Sequence, residues 1–243
     1  MQTSAREPIF NLPGVIVVLF GVLVAVHLGR EFLSQELDDW VLAVFAFVPA
    51  RFGDRGSALP GGPWAGPASF VGHTLLHGDW LHLAMNSVWL MAVGSPIARR
   101  MSAPAFIGFA AVCGAGGALL FLAIHPGLAV PMVGASGAIS GLMAAVFRLI
   151  FSADDDHARH LLREHPAAVP RLSLGQTFTS RQALVAIAVW VGVNMLAAFG
   201  LGAWDGTSAI AWEAHLGGFV TGLLAFGVFD RGHGPVMRRR SDA

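Results

Sequence analysis

Long apolar stretches alternate with short polar segments along most of the chain. Six of these stretches approach the length of about 20 mostly apolar residues that a membrane-spanning helix needs. They cover approximately residues 12–28, 81–97, 103–124, 133–151, 183–204 and 207–229. Arg6 precedes the first stretch, as in a signal peptide, but no small-residue cleavage pattern follows, so we expect a retained helix. The pattern predicts an all-α, polytopic membrane protein with six transmembrane helices.

Composition supports this interpretation and excludes other classes. Hydrophobic residues make up 55% of the chain and charged residues only 12%, whereas an ordinary soluble domain has roughly 25% charged residues. The 15 arginines, in a chain without lysine, are balanced by 15 acidic residues, so no nucleic-acid partner is predicted. A single cysteine, Cys113, excludes an intrachain disulfide and a cysteine-rich zinc site. We predict no metal and no cofactor.

The distribution of arginine predicts the orientation of the chain. If the N-terminus is cytoplasmic, 12 of the 15 arginines fall on the cytoplasmic side of the predicted helices, in agreement with the positive-inside rule. Both termini are therefore predicted to be cytoplasmic. An N-terminal segment at 1–11 and a basic tail at 230–243 flank one helical domain at 12–229, and we expect no second domain.

Two loops in this arrangement are long. The first external loop, about residues 29–70, contains an apolar run at 40–48 that is too short to span and is predicted to lie in the membrane interface. The internal loop, about residues 152–180, carries three aspartates and three histidines. Its polar composition is more typical of a solvated, partly disordered segment than of a metal site.

Polar residues within apolar spans are costly and are therefore candidates for function. The fourth span opens with Gly134-Ala-Ser136-Gly137 and continues to Gly141. A serine at a helix N-terminus lies beside backbone N–H groups that have no intrahelical partner, and these donors suit a developing oxyanion. The glycines remove side-chain bulk, so another backbone can approach closely. Ser136 is thus a candidate nucleophile, although helix packing alone would explain the motif.

The sixth span offers a base for that serine. His215, Gly218 and Gly222 fall on one helical face, and the two glycines form a small-xxx-small packing motif. Close packing of this face on the fourth span would bring His215 near Ser136, and a serine hydroxyl needs such a base to become nucleophilic. The adjacent Glu213 points to another helical face, and we expect it near the outer surface.

The second span supplies side chains that could donate hydrogen bonds to an oxyanion. His82 and Asn86 are four residues apart and share one face of a helix. Together with Ser136 and His215 they make a serine hydrolase physically coherent. Packing of polar groups between helices would also account for each of them.

This ordered set resembles the rhomboid family of intramembrane serine proteases. The matching motifs are His82-x-x-x-Asn86, Gly134-Ala-Ser136-Gly137 and Ala214-His215-x-x-Gly218-x-x-x-Gly222. The resemblance implies a six-helix rhomboid-like bundle with a long first external loop. It also implies that Ser136 is the nucleophile and His215 the general base and acid, working as a dyad. By the same resemblance, His82, Asn86 and the Ser136 backbone N–H bind the oxyanion.

The resemblance further implies substrates that are single-span membrane proteins, cut in or near their transmembrane segment. The expected location is a cell membrane, bacterial inner or plasma membrane, with the lipid bilayer as the other partner. Ser140 stands where many members have an aromatic residue that stacks on the catalytic histidine. Two alternatives stay open: a catalytically inactive rhomboid-like binding protein, and a small transporter with a polar site at mid-depth.

Overall fold

A computed structural model describes residues 12–53, 59–153, 156–198 and 211–232. Within these ranges the regular structure is helical, apart from one isolated antiparallel bridge between Phe47 and Met132. The helices are α1 Gly14–Arg30, α2 Gln35–Phe45, α3 Gly62–Gly72, α4 Trp80–Trp89, α5 Ser95–Ala98, α6 Ala103–Ile124, α7 Ser136–Ile150, α8 Asp156–Glu164, α9 Leu174–Thr179, α10 Arg181–Ala198 and α11 Trp212–Phe229. The all-helical fold class is thus confirmed for the described residues.

Three described helical runs are long and apolar enough to cross a membrane. They are Trp80–Ala98, Ala103–Ile124 and Trp212–Phe229. Three shorter apolar helices, Gly14–Arg30, Ser136–Ile150 and Arg181–Leu196, lie in the other three predicted stretches. The count of six crossings therefore stays a prediction. The predicted segment 1–11, most of the tail 230–243 and the connection between the fifth and sixth stretches lie outside the described residues.

The run Trp80–Ala98 joins α4 to α5 through a π-helical turn, Leu90–Gly94. The turn comes just before Pro96, which cannot donate a backbone hydrogen bond, so the regular α-helical ladder is interrupted there. Helix α1 packs against this run. A Cβ placed on Gly94 would lie 2.9 Å from Ile16 Cδ1, which shows how closely the two helices approach.

Helix α11 packs between α6 and α7, and this three-helix contact forms the centre of the fold. Small residues line the contact at one end of the helices, while aromatic side chains fill it at the other. Phe109 of α6 and Phe226 of α11 are both fully buried, with ring centroids 5.9 Å apart. The close approach at the glycine end positions the polar residues described below.

The first connection is largely ordered. Helix α2 begins at a Ser34 cap, and α3 includes Pro67, so the Pro/Gly-rich stretch forms a helix that its composition did not predict. The apolar run 40–48 is divided between the end of α2 and an extended segment. Phe47 in that segment exchanges backbone hydrogen bonds with Met132, at 3.0 and 2.8 Å. The segment thus packs on the protein itself.

The internal loop, predicted to be solvated and partly disordered, contains helices in residues 156–180, although most of the first of them is exposed. These residues form α8, a short 3₁₀ turn and α9, which begins with a capping box between Ser173 and Gln176. Val169 and Thr177 are buried, at 2% and 0% exposed. Apolar anchors spaced between the charged residues explain why composition alone did not predict these helices.

A buried ionic cluster ties this segment to the helix ends. Asp230, at the end of α11, accepts hydrogen bonds from Arg100 Nε and Nη2, each at 2.9 Å, and from Arg171 Nη1 at 2.8 Å. Arg100 Nη1 also donates to the carbonyls of Pro166 and Val169. The cluster joins α5, α11 and the internal segment at one end of the bundle.

Candidate active site

Ser136 is the first residue of α7, and the turn that leads into it is held from two sides. Gly134 has a φ of +117°, a left-handed conformation that glycine adopts at little cost. Its N–H donates to the His73 carbonyl at 2.9 Å, while Met132 pairs with Phe47. Because the chain enters the helix at this serine, the unpaired N–H groups of the first turn and the positive end of the helix dipole lie beside the Ser136 hydroxyl.

His82 and Asn86 of α4 converge on the same turn. A Cβ placed on Gly134 would lie 2.6 Å from His82 Nε2 and 3.6 Å from Asn86 Nδ2, so only glycine fits here. Asn86 is 5% exposed, and its Nδ2 has no hydrogen-bond partner among the described residues. Leaving a buried donor unpaired costs roughly 1–3 kcal/mol. Asn86 therefore keeps an unpaired donor close to the turn that leads into α7.

The start of α4 is fixed by a residue that the sequence analysis did not include in the site. Asp79 caps the helix, and its Oδ1 accepts from the His82 N–H at 2.8 Å. An Asp three positions before the histidine is a typical N-cap signal, so the sequence carried this information. The cap sets where the helix begins and so where His82 and Asn86 lie on its first turns.

Helix α11 approaches α7 next to the two predicted catalytic residues. A Cβ on Gly137 would lie 3.3 Å from the Ala214 carbonyl oxygen, and one on Gly117 of α6 would lie 2.5 Å from the same atom. Gly137 follows Ser136 in sequence, and Ala214 precedes His215. The structure therefore brings the backbones that carry the serine and the histidine into direct contact.

The remaining predicted glycines extend this contact along the two helices. A Cβ on Gly218 would overlap the Gly137 carbonyl oxygen, and one on Gly222 would overlap the Gly141 carbonyl oxygen. A Cβ on Gly141 would in turn lie 2.9 Å from the Gly218 carbonyl oxygen. Two helices can approach this closely only if both lack side chains at these positions.

The His215 ring has a partner from a helix that the sequence analysis did not include in the site. Its Nδ1 lies 2.7 Å from Asn194 Oδ1 on α10. An asparagine within an apolar span met the same criterion that singled out the other polar residues, so the signal was available. Ser140, in contrast, bonds within its own helix: its hydroxyl donates to the Ser136 carbonyl at 2.8 Å.

Glu213, which we expected near the outer surface, is buried within the protein. It is 6% exposed, and its Oε1 lies 2.6 Å from His125 Nε2, which follows the end of α6. The helical-wheel argument placed Glu213 on the correct side away from His215, but α6 covers that side. The pair fixes the start of α11 against the end of α6.

Ser136, His215, His82 and Asn86 lie on three helices of a chain that matches one protein family. The family model described as Rhomboid domain matches residues 65–231. The chain belongs to the rhomboid family. All four of these residues lie within the matched region, as do α4 to α11. No curated protein matches the chain.

Proposed function

We propose that this rhomboid is an active intramembrane serine endopeptidase that cleaves single-span membrane proteins in or near their transmembrane segment. The observation that carries the proposal is the junction of α4, α7 and α11. Ser136 opens α7, two polar side chains of α4 converge on Gly134, and Ala214, the residue before His215, contacts Gly137.

The first half of the reaction forms an acyl-enzyme. Ser136 Oγ attacks the scissile carbonyl carbon while His215 accepts the hydroxyl proton. The carbonyl oxygen becomes an oxyanion that binds to the Ser136 N–H and to donors on His82 and Asn86. His215 then gives its proton to the leaving amine, the C–N bond breaks, and the acyl group stays on Ser136.

Water completes the second half. His215 takes a proton from a water molecule, the resulting hydroxide attacks the ester carbon, and the proton passes to Ser136 Oγ as the acid product leaves. Since lipid does not supply water, this step requires access from an aqueous face. The catalytic residues lie near the starts of α4, α7 and α11, which places them towards one end of each helix.

The membrane placement belongs to the same proposal. The protein would be a multi-pass protein of a bacterial inner or plasma membrane, with cytoplasmic termini and the site closer to the external face. Cysteine labelling tests this, because the native Cys113 is buried. A Gly53→Cys variant should react with an impermeant maleimide in intact cells, whereas Ala158→Cys should react only after lysis. The reverse result would invert the topology.

Activity is tested by fluorophosphonate labelling of purified protein and by cleavage of a single-span substrate in proteoliposomes. Ser136→Ala should abolish both labelling and cleavage, and His215→Ala should reduce both to background, without unfolding the bundle. Ser140→Ala is the matched control, because it removes a hydroxyl one turn further along α7. A folded wild-type protein that neither labels nor cleaves would indicate an inactive rhomboid-like binding protein. Cleavage by Ser136→Ala would disprove the nucleophile assignment.

A further inference from the structure

The hydrogen bonds of Asn194 define which way its amide faces. Asn194 Nδ2 donates to the Trp190 carbonyl, one turn earlier on α10, at 2.8 Å. Only the NH₂ group can donate, so the amide oxygen is the atom that faces His215 Nδ1 at 2.7 Å. An amide oxygen only accepts hydrogen bonds. The hydrogen of this pair must therefore be on His215 Nδ1.

This bond fixes the state of the imidazole. A neutral histidine carries one N–H, and if Nδ1 holds it, Nε2 has the free lone pair. A general base needs that lone pair on the nitrogen that meets the nucleophile. The bond also restrains rotation of the ring about its side-chain torsions.

A second contact between the same two helices supports the alignment. Trp190 stacks on Phe219 of α11, with ring centroids 4.3 Å apart and planes inclined by 22°. Phe219 lies four residues after His215, and Asn194 lies four residues after Trp190, so both contacts use one face of each helix. The stack holds α10 and α11 in the register that the Asn194–His215 bond requires.

Another face of α10 has a different character. Val185, Val189 and Val193 are 55%, 61% and 59% exposed in the structure. An amide among such residues would be costly if it faced lipid. Asn194 instead points towards α11 and uses both of its polar atoms.

We propose that Asn194 is a positioning residue that holds His215 with hydrogen on Nδ1 and the lone pair on Nε2, giving a relay of Asn194, His215 and Ser136. This inference rests on the proposed protease activity. Asn194 stays neutral throughout: it accepts from Nδ1–H while Nε2 takes the serine proton, and it continues to accept from the imidazolium. It therefore supports both proton transfers without losing or gaining a proton.

The direct test does not depend on proteolysis. In protein labelled with ¹⁵N at histidine, the His215 signals are identified by their loss in His215→Ala. At a pH where His215 is neutral, we expect a pyrrole-type shift at Nδ1 and a pyridine-type shift at Nε2. In Asn194→Leu, which has similar size but no acceptor, we expect mixed tautomers. An Nε2–H tautomer in the wild type, or an unchanged spectrum in Asn194→Leu, would overturn the proposal.

Kinetics provide the second test. General base catalysis contributes about 10²–10⁴-fold, so loss of its alignment in Asn194→Leu should lower kcat about 10- to 100-fold. KM should stay within about twofold, because substrate binding is not affected. Asn194→Asp should restore most of the rate, since a protonated carboxyl can make both hydrogen bonds and a carboxylate still accepts from Nδ1–H.

The control is Val193→Ala, which changes the exposed face of the same helical turn and should leave kcat unchanged. If the wild type cleaves and Asn194→Leu has the same kcat, the positioning role is disproved while the protease proposal stands. If the wild type does not cleave, the protease proposal fails, and the tautomer measurement still decides what Asn194 does. If Asn194→Leu does not fold, the wild-type tautomer and the rate of Asn194→Asp decide it.

Discussion

The two ends of the helix bundle both bury polar side chains, but they treat them differently. At one end, every guanidinium nitrogen of Arg100 and Arg148 has an acceptor, supplied by Asp230 or by backbone carbonyls. At the other end, the buried Asn86 Nδ2 has no hydrogen-bond partner among the described residues. Helix α11 connects the ends, with His215 near its start and Asp230 at its close, about 22 Å apart at 1.5 Å per residue.

The difference separates scaffold from function. A buried charge is tolerated when its partners offset the cost of desolvation, and the resulting cluster then resists change. A buried donor without a partner lowers stability, and such groups concentrate where a ligand or a transition state will use them. The cluster around Asp230 is therefore assigned to the scaffold, and the contact between α4 and the start of α7 is where the proposed catalysis would take place. Each of the following predictions tests one side of that contrast.

The largest effect should come from Asp230→Ala. Arg100 and Asp230 have fully buried side chains, and removing one partner of such a pair costs about 3–5 kcal/mol because the other charge stays buried. We expect a large fall in the free energy of unfolding. Asp156→Ala is the matched control, since Asp156 also pairs with an arginine, Arg159, but its side chain is fully exposed. It should cause no measurable change, and equal losses in the two variants would contradict the structural role.

The stability difference between wild type and Asp230→Ala should depend on pH. Burial opposes the charge of Asp230, but the hydrogen bonds and charge of Arg100, with help from the Gly232 N–H and Arg171, hold the pKa of its carboxyl below the ordinary value of 3.8. A depressed folded-state pKa adds stability that is complete above the ordinary value and is lost as the pH falls through the folded-state value. The stability gap between wild type and Asp230→Ala should narrow in that window. A gap that stays constant there would exclude the linkage.

Asn86→Leu should have the opposite profile. Loss of one oxyanion donor costs about 2–4 kcal/mol in the activation barrier, while removal of an unpaired buried donor should leave stability unchanged or raise it. Cleavage rates in proteoliposomes and unfolding midpoints measure the two effects. Met85→Leu controls for changes on α4, since Met85 is 52% exposed. Loss of stability without loss of rate would place Asn86 in the scaffold.

The sequence predicted much of this arrangement, because membrane helices and close glycine contacts leave strong local patterns. The predicted boundaries of the second and third helices fall within one residue of those observed, at Trp80–Ala98 and Ala103–Ile124. Gly134 shows the limit of what motif spacing predicts. Its place near the site was expected from the sequence, but its φ of +117° and its close approach to His82 are seen only in the structure.

The features that the sequence did not predict depend on contacts between distant segments. Arg100 and Asp230 are 130 residues apart. Arg100 was counted only among the arginines that predict orientation, and Asp230 was assigned no role. Asn194 is 21 residues from His215, and nothing in the local pattern of α10 indicates which helix it faces. Helices in the internal segment were missed because the segment was judged by its polar composition, whereas local signals such as the capping box between Ser173 and Gln176 were not considered.

Gly218→Ala should have an intermediate effect, because it affects the contact that holds the two ends in register. A Cβ at this position would overlap the Gly137 carbonyl oxygen, and overpacking of this kind costs about 1–3 kcal/mol. Separation of α11 from α7 should also reduce cleavage, since His215 and Ser136 adjoin the contact. Gly192→Ala is the control, because nothing lies within 4 Å of its missing Cβ. Equal stability of the two variants would show that the helices can separate at no cost.

The smallest effect should come from Ser140→Ala. Ser140 lies one turn after Ser136, but its hydroxyl already has a hydrogen-bond partner. Its bond to the Ser136 carbonyl contributes about 0.5–1.5 kcal/mol at most, and a serine that bonds back along its own helix often stabilises it little. If partner satisfaction separates scaffold from function, Ser140→Ala should change stability slightly and leave the cleavage rate within about twofold of wild type. A rate loss as large as that of Asn86→Leu would contradict this, because it would show that a residue near Ser136 affects cleavage even when its hydrogen-bonding group already has a partner.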